Sequence, residues 1–427
     1  VKGILQGKSE GFDNYDAILL LTKPHSAKEV VRKEFEEQMG ECGVEQVSEM
    51  RECNKAYVYE IKATASGRKR RVILATMDSF VYILANNNPD PSVMEQFTAL
   101  CKTIADRGPE TGSCGQVKFK QSTINLNGQC LVVVDEATKL TVPYMAALAR
   151  ITFACSSDAL VVGDKMQSIE SSSNLLTTLL DKDTALPDYI NVSERTCGTE
   201  IRRFGSVLVN FLRDVIPFVE YGLDPPIAAP GVDHAHGCVE VHALKEEQRE
   251  QVEMIMYHFE RDVRELRLVP WDCMDISPFV TRNPLLDEVC EEKHRFWVGV
   301  LRRDDPFRNE LVNTGNPVRD KRNGEFLDWY DNEYSAEDDG QLAIRHYADA
   351  GRPVDTSTST HRTRMVSIHA AQGDGRRYCQ VIGLSEWALK RFTHGEMNLQ
   401  FHSLLCVALS RAKEKLVVYV EKEYDHV

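Results

Sequence analysis

The sequence has no cysteine pair in CxxC spacing, no apolar run near 18 residues, no signal peptide and no excess of positive charge. The lack of CxxC pairs argues against a zinc ribbon or finger, and twelve scattered cysteines fit reduced thiols of an intracellular protein. Nothing in the sequence indicates secretion or a membrane span. A net charge of −14 argues against a basic coat but permits a local basic groove.

Short and almost continuous apolar runs recur along the chain, with helix-like segments at 26–39 and 246–266 between them. Such runs are typical of central strands in a parallel sheet that is covered on both faces, and their alternation with helices predicts an α/β fold. The predicted strands are 17–22, 71–76, 130–136, 158–164, 238–244, 365–370, 379–384 and 415–420.

The length of 427 residues predicts two or three domains. The strand pattern occurs twice, so we place domains at 1–190 and 191–427. Residues 300–362 are charged, turn-rich and weakly periodic, which predicts an insertion or long surface loop in the second domain. The alternative for this segment is a small β-rich lobe that touches nucleic acid. Because the chain begins with Val1 and not Met, we expect a fragment of something longer.

The stretch LVVVDEATKL runs from a buried strand into two carboxylates, Asp135 and Glu136. In α/β proteins the carboxyl edge of the sheet is where sites are built. An Asp there can hold Mg²⁺ and a neighbouring Glu can polarise a water, the two roles that phosphoryl transfer needs. The alternative is helix capping and ordinary surface acidity.

A second strand ends in ALVVGDKMQS, where Gln167 can hydrogen-bond a phosphate or an attacking water; the alternative is a solvated loop residue. Arg195 lies in VSERTCGTEIRRF, and an apolar helix presents Ser410, Arg411 and Lys413 before the last strand. Both arginines are assigned to the second half, from which they could stabilise phosphate charge bound on the first half. A surface salt bridge is the alternative for each.

These segments, in this order, resemble motifs of superfamily-1 helicases, and in particular the RNA helicases of positive-strand RNA viruses. DEAT, GDKMQ, ERTCGTEI, HAAQG and VALSRAK are similar to motifs II to VI, LLLTKPHSAKEV to motif Ia, ILATMDSF to the TxDSF segment and DISPFVTRN to the ISPY strand. The resemblance implies two tandem RecA-like domains, with NTP between them and a single strand crossing both.

The resemblance also implies residue roles. Asp135 would bind Mg²⁺, Glu136 would act on the hydrolytic water, and Gln167 would sense the γ-phosphate. Arg195 and Arg411 would be the arginine fingers. The residues expected near the nucleotide are Lys8, Asp164, Gln372 and Gly373. Those expected near the nucleic-acid backbone, where contacts do not read sequence, are Thr22, His25, Ser26, Thr76, Ser79, Ser277 and His369.

The sequence departs from the family pattern in three places. The phosphate loop GxxxxGK[ST] should precede motif Ia, but VKGILQGKSEGF, which contains Lys8, is one residue short of it. We therefore expect the true loop upstream of this chain, which would then bind and hydrolyse NTP poorly on its own. Gly375 stands where relatives often have Glu, and Gly198 where Pro is common.

The leading prediction is an NTP-driven helicase or translocase that acts on single-stranded nucleic acid. Its expected cofactors are ATP or another NTP, and Mg²⁺. RNA is favoured over DNA, the expected location is the host cytoplasm, and other replication proteins of a larger polyprotein are the expected partners. Two alternatives remain open. One is a DNA helicase of a large DNA virus or mobile element, and the other is a catalytically silent, helicase-derived nucleic-acid-binding module.

Overall fold

A computed structural model describes two compact units, Val1–Thr196 and Cys197–Val427. The division places Arg195, which we had assigned to the second half, in the first unit. The described residues are 15–23, 28, 31–32, 35–39, 45–46, 51–53, 56–62, 69–84, 99, 101, 116–119, 122–125, 129–154, 158–169, 171, 173–186, 190–230, 238–334, 340–346, 357–393 and 399–421.

The first unit is built on a mixed sheet whose centre is parallel. Its strands are β1 (Ala17–Thr22), β2 (Glu45–Gln46), β3 (Arg51–Cys53), β4 (Ala56–Lys62), β5 (Lys69–Thr76), β8 (Cys130–Val134) and β9 (Asp158–Val161). The order is β2-β4-β5-β1-β8-β9, with β3 also paired to β4. Strands β5, β1, β8 and β9 are mutually parallel, and β4 runs antiparallel to β5. A separate ribbon pairs β6 (Gln116–Phe119) with β7 (Ser122–Asn125).

The central strands of this sheet bury side chains on both faces. Along β1, Leu19 and Leu21 join one apolar cluster, whereas Ile18 and Leu20 join another. Successive side chains of a strand point to opposite faces, so a strand covered on both sides must be apolar at every position. Helices α1 (Met77–Leu84), α2 (Tyr144–Ala154) and α3 (Leu175–Leu180) contribute to the first cluster.

The second unit contains a six-stranded sheet that is parallel throughout. Its strands are β12 (Cys238–Ala243), β13 (Cys273–Ser277), β14 (Ala343–Arg345), β15 (Thr363–Ser367), β16 (Arg376–Leu384) and β17 (Ala412–Val420). Their order in the sheet is β12-β17-β16-β13-β15-β14. A short pair, β10 (Glu200–Ile201) and β11 (Ile227–Ala228), precedes it. The predicted α/β class is thus confirmed.

The helices of the second unit lie between its strands in the sequence. They are α4 (Ser206–Val215), α5 (Gln248–Leu266), α6 (Pro284–Val300), α7 (Pro306–Leu311), α8 (Pro317–Asn332), α9 (Ile368–Ala371), α10 (Glu386–Phe392) and α11 (Leu399–Leu409). Among the described residues, none of the helices has both the length and the apolar content that a bilayer crossing requires.

Where the structure describes residues 300–362, the predicted long loop and the alternative β-rich lobe were both wrong, whereas the status of this segment as an insertion stays a prediction. Helices α7 and α8 occupy much of this segment, and Phe307, Leu311 and Phe326 belong to the core of the second unit. Each helix starts at a proline directly after a side-chain cap, Asp305 for α7 and Asn316 for α8. A proline suits the first helical position because its missing N–H would have no partner there. Asn-Gly is a common turn signal, but the dipeptide at 323–324 lies inside α8.

A buried ion pair lies in the interior of the second unit. The Nζ atom of Lys293 on α6 contacts Oδ1 of Asp275 on β13 at 2.5 Å and Oε1 of Gln380 on β16 at 2.5 Å. The two charged residues are 0% and 1% exposed, and burial raises the pKa of Asp275 against the opposing effect of Lys293. This pair ties a helix to two neighbouring strands.

Candidate active site

Asp135 and Glu136 leave the sheet of the first unit at its carboxyl edge, directly after β8. The backbone fixes this exit on both sides. The N–H of Asp135 donates to the carbonyl of Leu21 on β1 at 2.8 Å, and the N–H of Ala137 donates to the carbonyl of Val162 after β9 at 3.1 Å. The acidic pair is therefore held against the ends of both neighbouring strands.

Glu136 has a strained backbone. Its φ of 54° and ψ of 43° are left-handed, and its N–H donates to Oδ1 of Asp135 at 2.9 Å. A non-glycine residue in this region costs roughly 1–3 kcal/mol and persists only where the surroundings impose it. Such outliers cluster at functional sites, so this one supports the interpretation of the acidic pair as more than surface charge.

The turn after β9 organises Asp164 and Gln167. Oδ1 of Asp164 accepts a hydrogen bond from the N–H of Met166 at 2.9 Å, and Oδ2 accepts one from Nε2 of Gln167 at 3.0 Å. Both carboxylate oxygens thus hold the short 3₁₀ turn Lys165–Gln167. Asp164 orients the Gln167 amide, a role that differs from the direct nucleotide contact expected of it.

Gly163 makes the close approach of these two turns possible. A Cβ atom at this position would lie 3.0 Å from Cδ2 of Leu176 and 3.2 Å from the backbone nitrogen of Ala137. The backbone at Ala137 is fixed by its hydrogen bond to Val162, and moving it to make room for a methyl group would weaken that bond. The glycine therefore lets the loops that follow β8 and β9 pack side by side.

Gly163→Ala is expected to lower the free energy of unfolding by about 1–3 kcal/mol, because the added methyl overpacks a fixed backbone. The matched control is Gly198→Ala, where nothing lies within 4 Å of the added carbon. The control should stay within about 0.5 kcal/mol of the wild type. Chemical unfolding followed by circular dichroism measures both, and equal stability of the two variants would contradict the packing argument.

Three predicted nucleic-acid contacts lie at the same sheet edge. Thr22 and Thr76 are paired across β1 and β5, and their side chains are 2% and 1% exposed. The hydroxyls of Thr76 and Ser79 hydrogen-bond each other at 2.8 Å. The structure thus brings these residues to the edge that carries Asp135 and Glu136, but buries both threonines. Lys8, His25 and Ser26 lie outside the described residues.

Arg195 is exposed and belongs to the first unit. Its Nε donates to the carbonyl of Leu179 in the last turn of α3 at 2.7 Å. The last four carbonyls of a helix lack partners within the helix, so a guanidinium there is a favourable cap. This contact gives Arg195 a structural role that the sequence did not indicate.

Arg411 lies in the second unit just before β17, and it is 1% exposed. Its guanidinium donates to the carbonyl of Val407 at 3.0 Å, the carbonyl of Asp374 at 3.2 Å and Oγ of Ser410 at 2.7 Å. The backbone N–H of Arg376, which opens β16, donates to the Arg411 carbonyl at 3.1 Å. Arg411 and the turn before β16 therefore meet at the amino edge of this sheet.

The glycines of this turn have distinct roles. Gly373 is exposed and adopts a φ of 85°. Gly375 would place a Cβ atom 3.2 Å from the carbonyl oxygen of Arg411. A side chain at position 375 would therefore crowd the Arg411 carbonyl, so glycine suits this position. The preceding residue, Gln372, is 7% exposed.

Several cations lie around this turn and form what we call the basic cluster, which consists of Arg203, Arg322, Arg376, Arg411 and Lys413. Desolvation lowers the pKa of the Lys413 ammonium, and the charges of Arg203 and Arg322 lower it further. Burial would raise the pKa of the Asp374 carboxyl, but Arg376 and Arg364 lower it overall. The arrangement concentrates positive charge that an anion would relieve.

Sequence reasoning missed the grouping of Arg203, Arg322 and Arg376. They come from a loop before α4, from α8 and from the first residue of β16. The runs IRRF and GDGRR were the available signal, but charge runs usually form solvated surfaces. Only the fold shows that they converge.

Ser277 is the last residue of β13 and His369 follows β15, so both lie at the carboxyl edge of the second sheet. Ser277 is 2% exposed, and its hydroxyl donates to the Phe279 carbonyl at 3.3 Å. The half-buried His369 ring is 5.2 Å from Phe392. The two residues therefore lie at the opposite edge from Gly373 and Arg411, which were predicted to contact the nucleotide.

Asp135 fits the predicted magnesium, because carboxylate oxygens are the ligands that this hard cation takes. One oxygen of Asp135 accepts a hydrogen bond from the Glu136 N–H, and the other has no hydrogen-bond partner within the described part of the chain. A second group, Glu240, His242 and His258, has ligand atoms within 4.8 Å of one another. It does not fit a cation: the imidazoles stack at 4.1 Å, and Arg261 and Lys415 already bind the Glu240 carboxylate.

A scan against models of known protein families finds no match to this chain, and a search of curated proteins finds no significant relative. The class defined by the fold alone is an α/β protein with largely parallel sheets in two units.

Proposed function

We propose that the chain is an NTP-hydrolysing helicase or translocase that acts on single-stranded nucleic acid, with two RecA-like domains and a preference for RNA over DNA. One observation carries the proposal. The strained Glu136 and its neighbour Asp135 leave β8 at a sheet edge, and backbone hydrogen bonds of the flanking residues Val134 and Ala137 with Val162 join this edge to the segment that leads into the turn of Gln167. An acid, a second acid and an amide at adjacent strand ends match the needs of phosphoryl transfer.

Each residue at this edge has a distinct proposed role. Asp135 would bind Mg²⁺, which when bound supplies positive charge against the phosphates. Glu136 would orient the attacking water and accept its proton, and the rigid turn would aim the Gln167 amide at the terminal phosphate. A polar group that is already in position does not have to rearrange during the reaction. The strained backbone that holds Glu136 in place would be tolerated for this reason.

The basic cluster supports the same proposal. Negative charge develops on the phosphate oxygens during phosphoryl transfer. Guanidinium groups that stabilise this charge raise the rate of the reaction by about 10³–10⁵-fold in known sites. Arg411 is immobilised by three hydrogen bonds, and Arg203 and Lys413 surround the same turn. The role of Arg195 as an arginine finger stays a prediction. In the structure, this residue caps α3.

One observation favours a second candidate, a catalytically silent nucleic-acid-binding module. The Arg411 side chain is 1% exposed, and its hydrogen bonds go to its own fold. In this alternative, the arginine stabilises the turn before β16 and contacts no nucleotide. The module would bind single strands without hydrolysing NTP.

Phosphate release by the protein in its natural full-length form distinguishes these candidates. The assay compares ATP alone with ATP plus a single-stranded RNA, a single-stranded DNA of the same sequence, or a blunt duplex. We expect stimulation by single strands, with RNA the stronger activator. Greater stimulation by DNA would indicate a DNA helicase. Tight strand binding without any phosphate release would establish the silent module and overturn the enzymatic proposal.

A further inference from the structure

An aromatic platform lies at the carboxyl edge of the second sheet. Phe279 follows β13, and Trp387 and Phe392 lie in α10 after β16, the neighbouring strand. The Phe279 ring stacks on Phe392 with centroids 5.4 Å apart and lies 5.8 Å from Trp387. The ring of His369, which follows the third strand β15, also lies 5.2 Å from that of Phe392. Three adjacent parallel strands thus deliver rings to one place.

The platform is held in position by its supports. The Phe279 carbonyl accepts hydrogen bonds from Oγ of Ser277 at 3.3 Å and from Nδ2 of Asn283 at 3.0 Å. Helix α10 packs through the buried residues Ala388 and Leu389. This packing turns Trp387 outward, where it is 60% exposed. A large indole that is both exposed and backed by stacked rings is preorganised for a flat ligand.

Charge identifies the kind of ligand. The guanidinium of Arg391 lies 5.3 Å from the Trp387 ring centroid and 5.8 Å from that of Phe279. Among the described residues, no carboxylate forms an ion pair with Arg391, and the nearby Glu386 pairs with Lys390. An indole that is 60% exposed, with an uncompensated guanidinium over its ring, complements a nucleotide, which offers a flat base and a phosphate.

We propose that Trp387 and Arg391 form a base-stacking site for one unpaired nucleotide of a single strand, Trp387 stacking on the base and Arg391 contacting the adjacent phosphate. This inference rests on the proposed function and deepens it, because it names residues outside every motif discussed above. Stacking on an aromatic ring is tolerant of sequence, since every base has a π-face. The site would thus grip a strand without reading it.

The test is the affinity of the full-length protein for a labelled single-stranded RNA, measured by fluorescence anisotropy. Trp387→Ala should weaken binding about 5- to 100-fold, the range for loss of one stacked base, whereas Trp387→Phe should retain most of the affinity. Arg391→Gln should weaken binding and reduce the slope of log K against log salt by about 0.7, the loss of one phosphate contact. The matched control is Tyr257→Ala, which removes another ring, 65% exposed, from the same unit.

A second strand of the same length whose sugars carry no bases separates stacking from charge. The affinity gap between wild type and Trp387→Ala should vanish on that strand, while the effect of Arg391→Gln should persist. Equal loss on both strands, or wild-type binding by Trp387→Ala, would overturn the stacking site. In that case single-strand-stimulated phosphate release by the wild type would still support the proposed function. If the wild type binds no single strand, both proposals fail.

Discussion

Glu136→Gln is expected to abolish most single-strand-stimulated phosphate release, with a loss of at least about 10²-fold, the scale of a missing general base. The amide keeps the size of the side chain but cannot accept the proton of an attacking water. The left-handed backbone of Glu136 and its N–H bond to Asp135 do not depend on the carboxylate, so the fold should persist. Steady-state phosphate release measures the effect.

The matched control for this prediction is Glu253→Gln, the same chemical change at a carboxylate that is 63% exposed and pairs with Arg249 on one helix face. Such surface pairs contribute little, so the control should hydrolyse NTP at the wild-type rate. If Glu136→Gln also retained the wild-type rate, Glu136 would not be the base.

Lys293→Met should lower the free energy of unfolding of the second unit by about 3–5 kcal/mol, because it leaves the Asp275 carboxylate buried without its cation. Asp275 and Lys293 are 1% and 0% exposed, and burial already raises the Asp275 pKa. Removal of both charges in Asp275→Asn/Lys293→Met should recover part of the loss, since no charge then remains in the core.

Tryptophan fluorescence isolates this effect, because Trp271, Trp297, Trp329 and Trp387 all belong to the second unit. The control is Lys321→Met, at a lysine that is 80% exposed and 4.0 Å from Glu325. We expect the control to change stability by no more than about 0.5 kcal/mol. A loss below about 1 kcal/mol for Lys293→Met would show that the buried pair is not a structural link.

Much of the fold could be predicted because buried parallel strands leave a strong signal. The run at 17–22 matches β1 in full, since every side chain of that strand is buried. The position of Asp135 at a sheet edge followed from the same logic, because polar residues directly after a buried strand lie at its carboxyl end. The role of Asp164 in holding Gln167 did not follow, because it depends on side-chain geometry within one turn.

Helix α8 was missed for a physical reason. It buries Asn323, Phe326 and Leu327 among many charged residues, so its apolar stripe is too narrow to produce a clear helical period. The stronger evidence was local, in the Asn-Pro and Asp-Pro pairs that start helices. The basic cluster could not be predicted at all, because its members converge only through the topology of the second sheet.

The most direct test of the central claim is to measure triphosphate binding and triphosphate hydrolysis side by side in wild type and Glu136→Gln. If Asp135 and Glu136, at the sheet edge after β8, catalyse the reaction, the variant should bind NTP with an affinity close to that of the wild type. Its turnover should fall at least about 10²-fold. Equal turnover in the two proteins would contradict the assignment of that edge as the catalytic site.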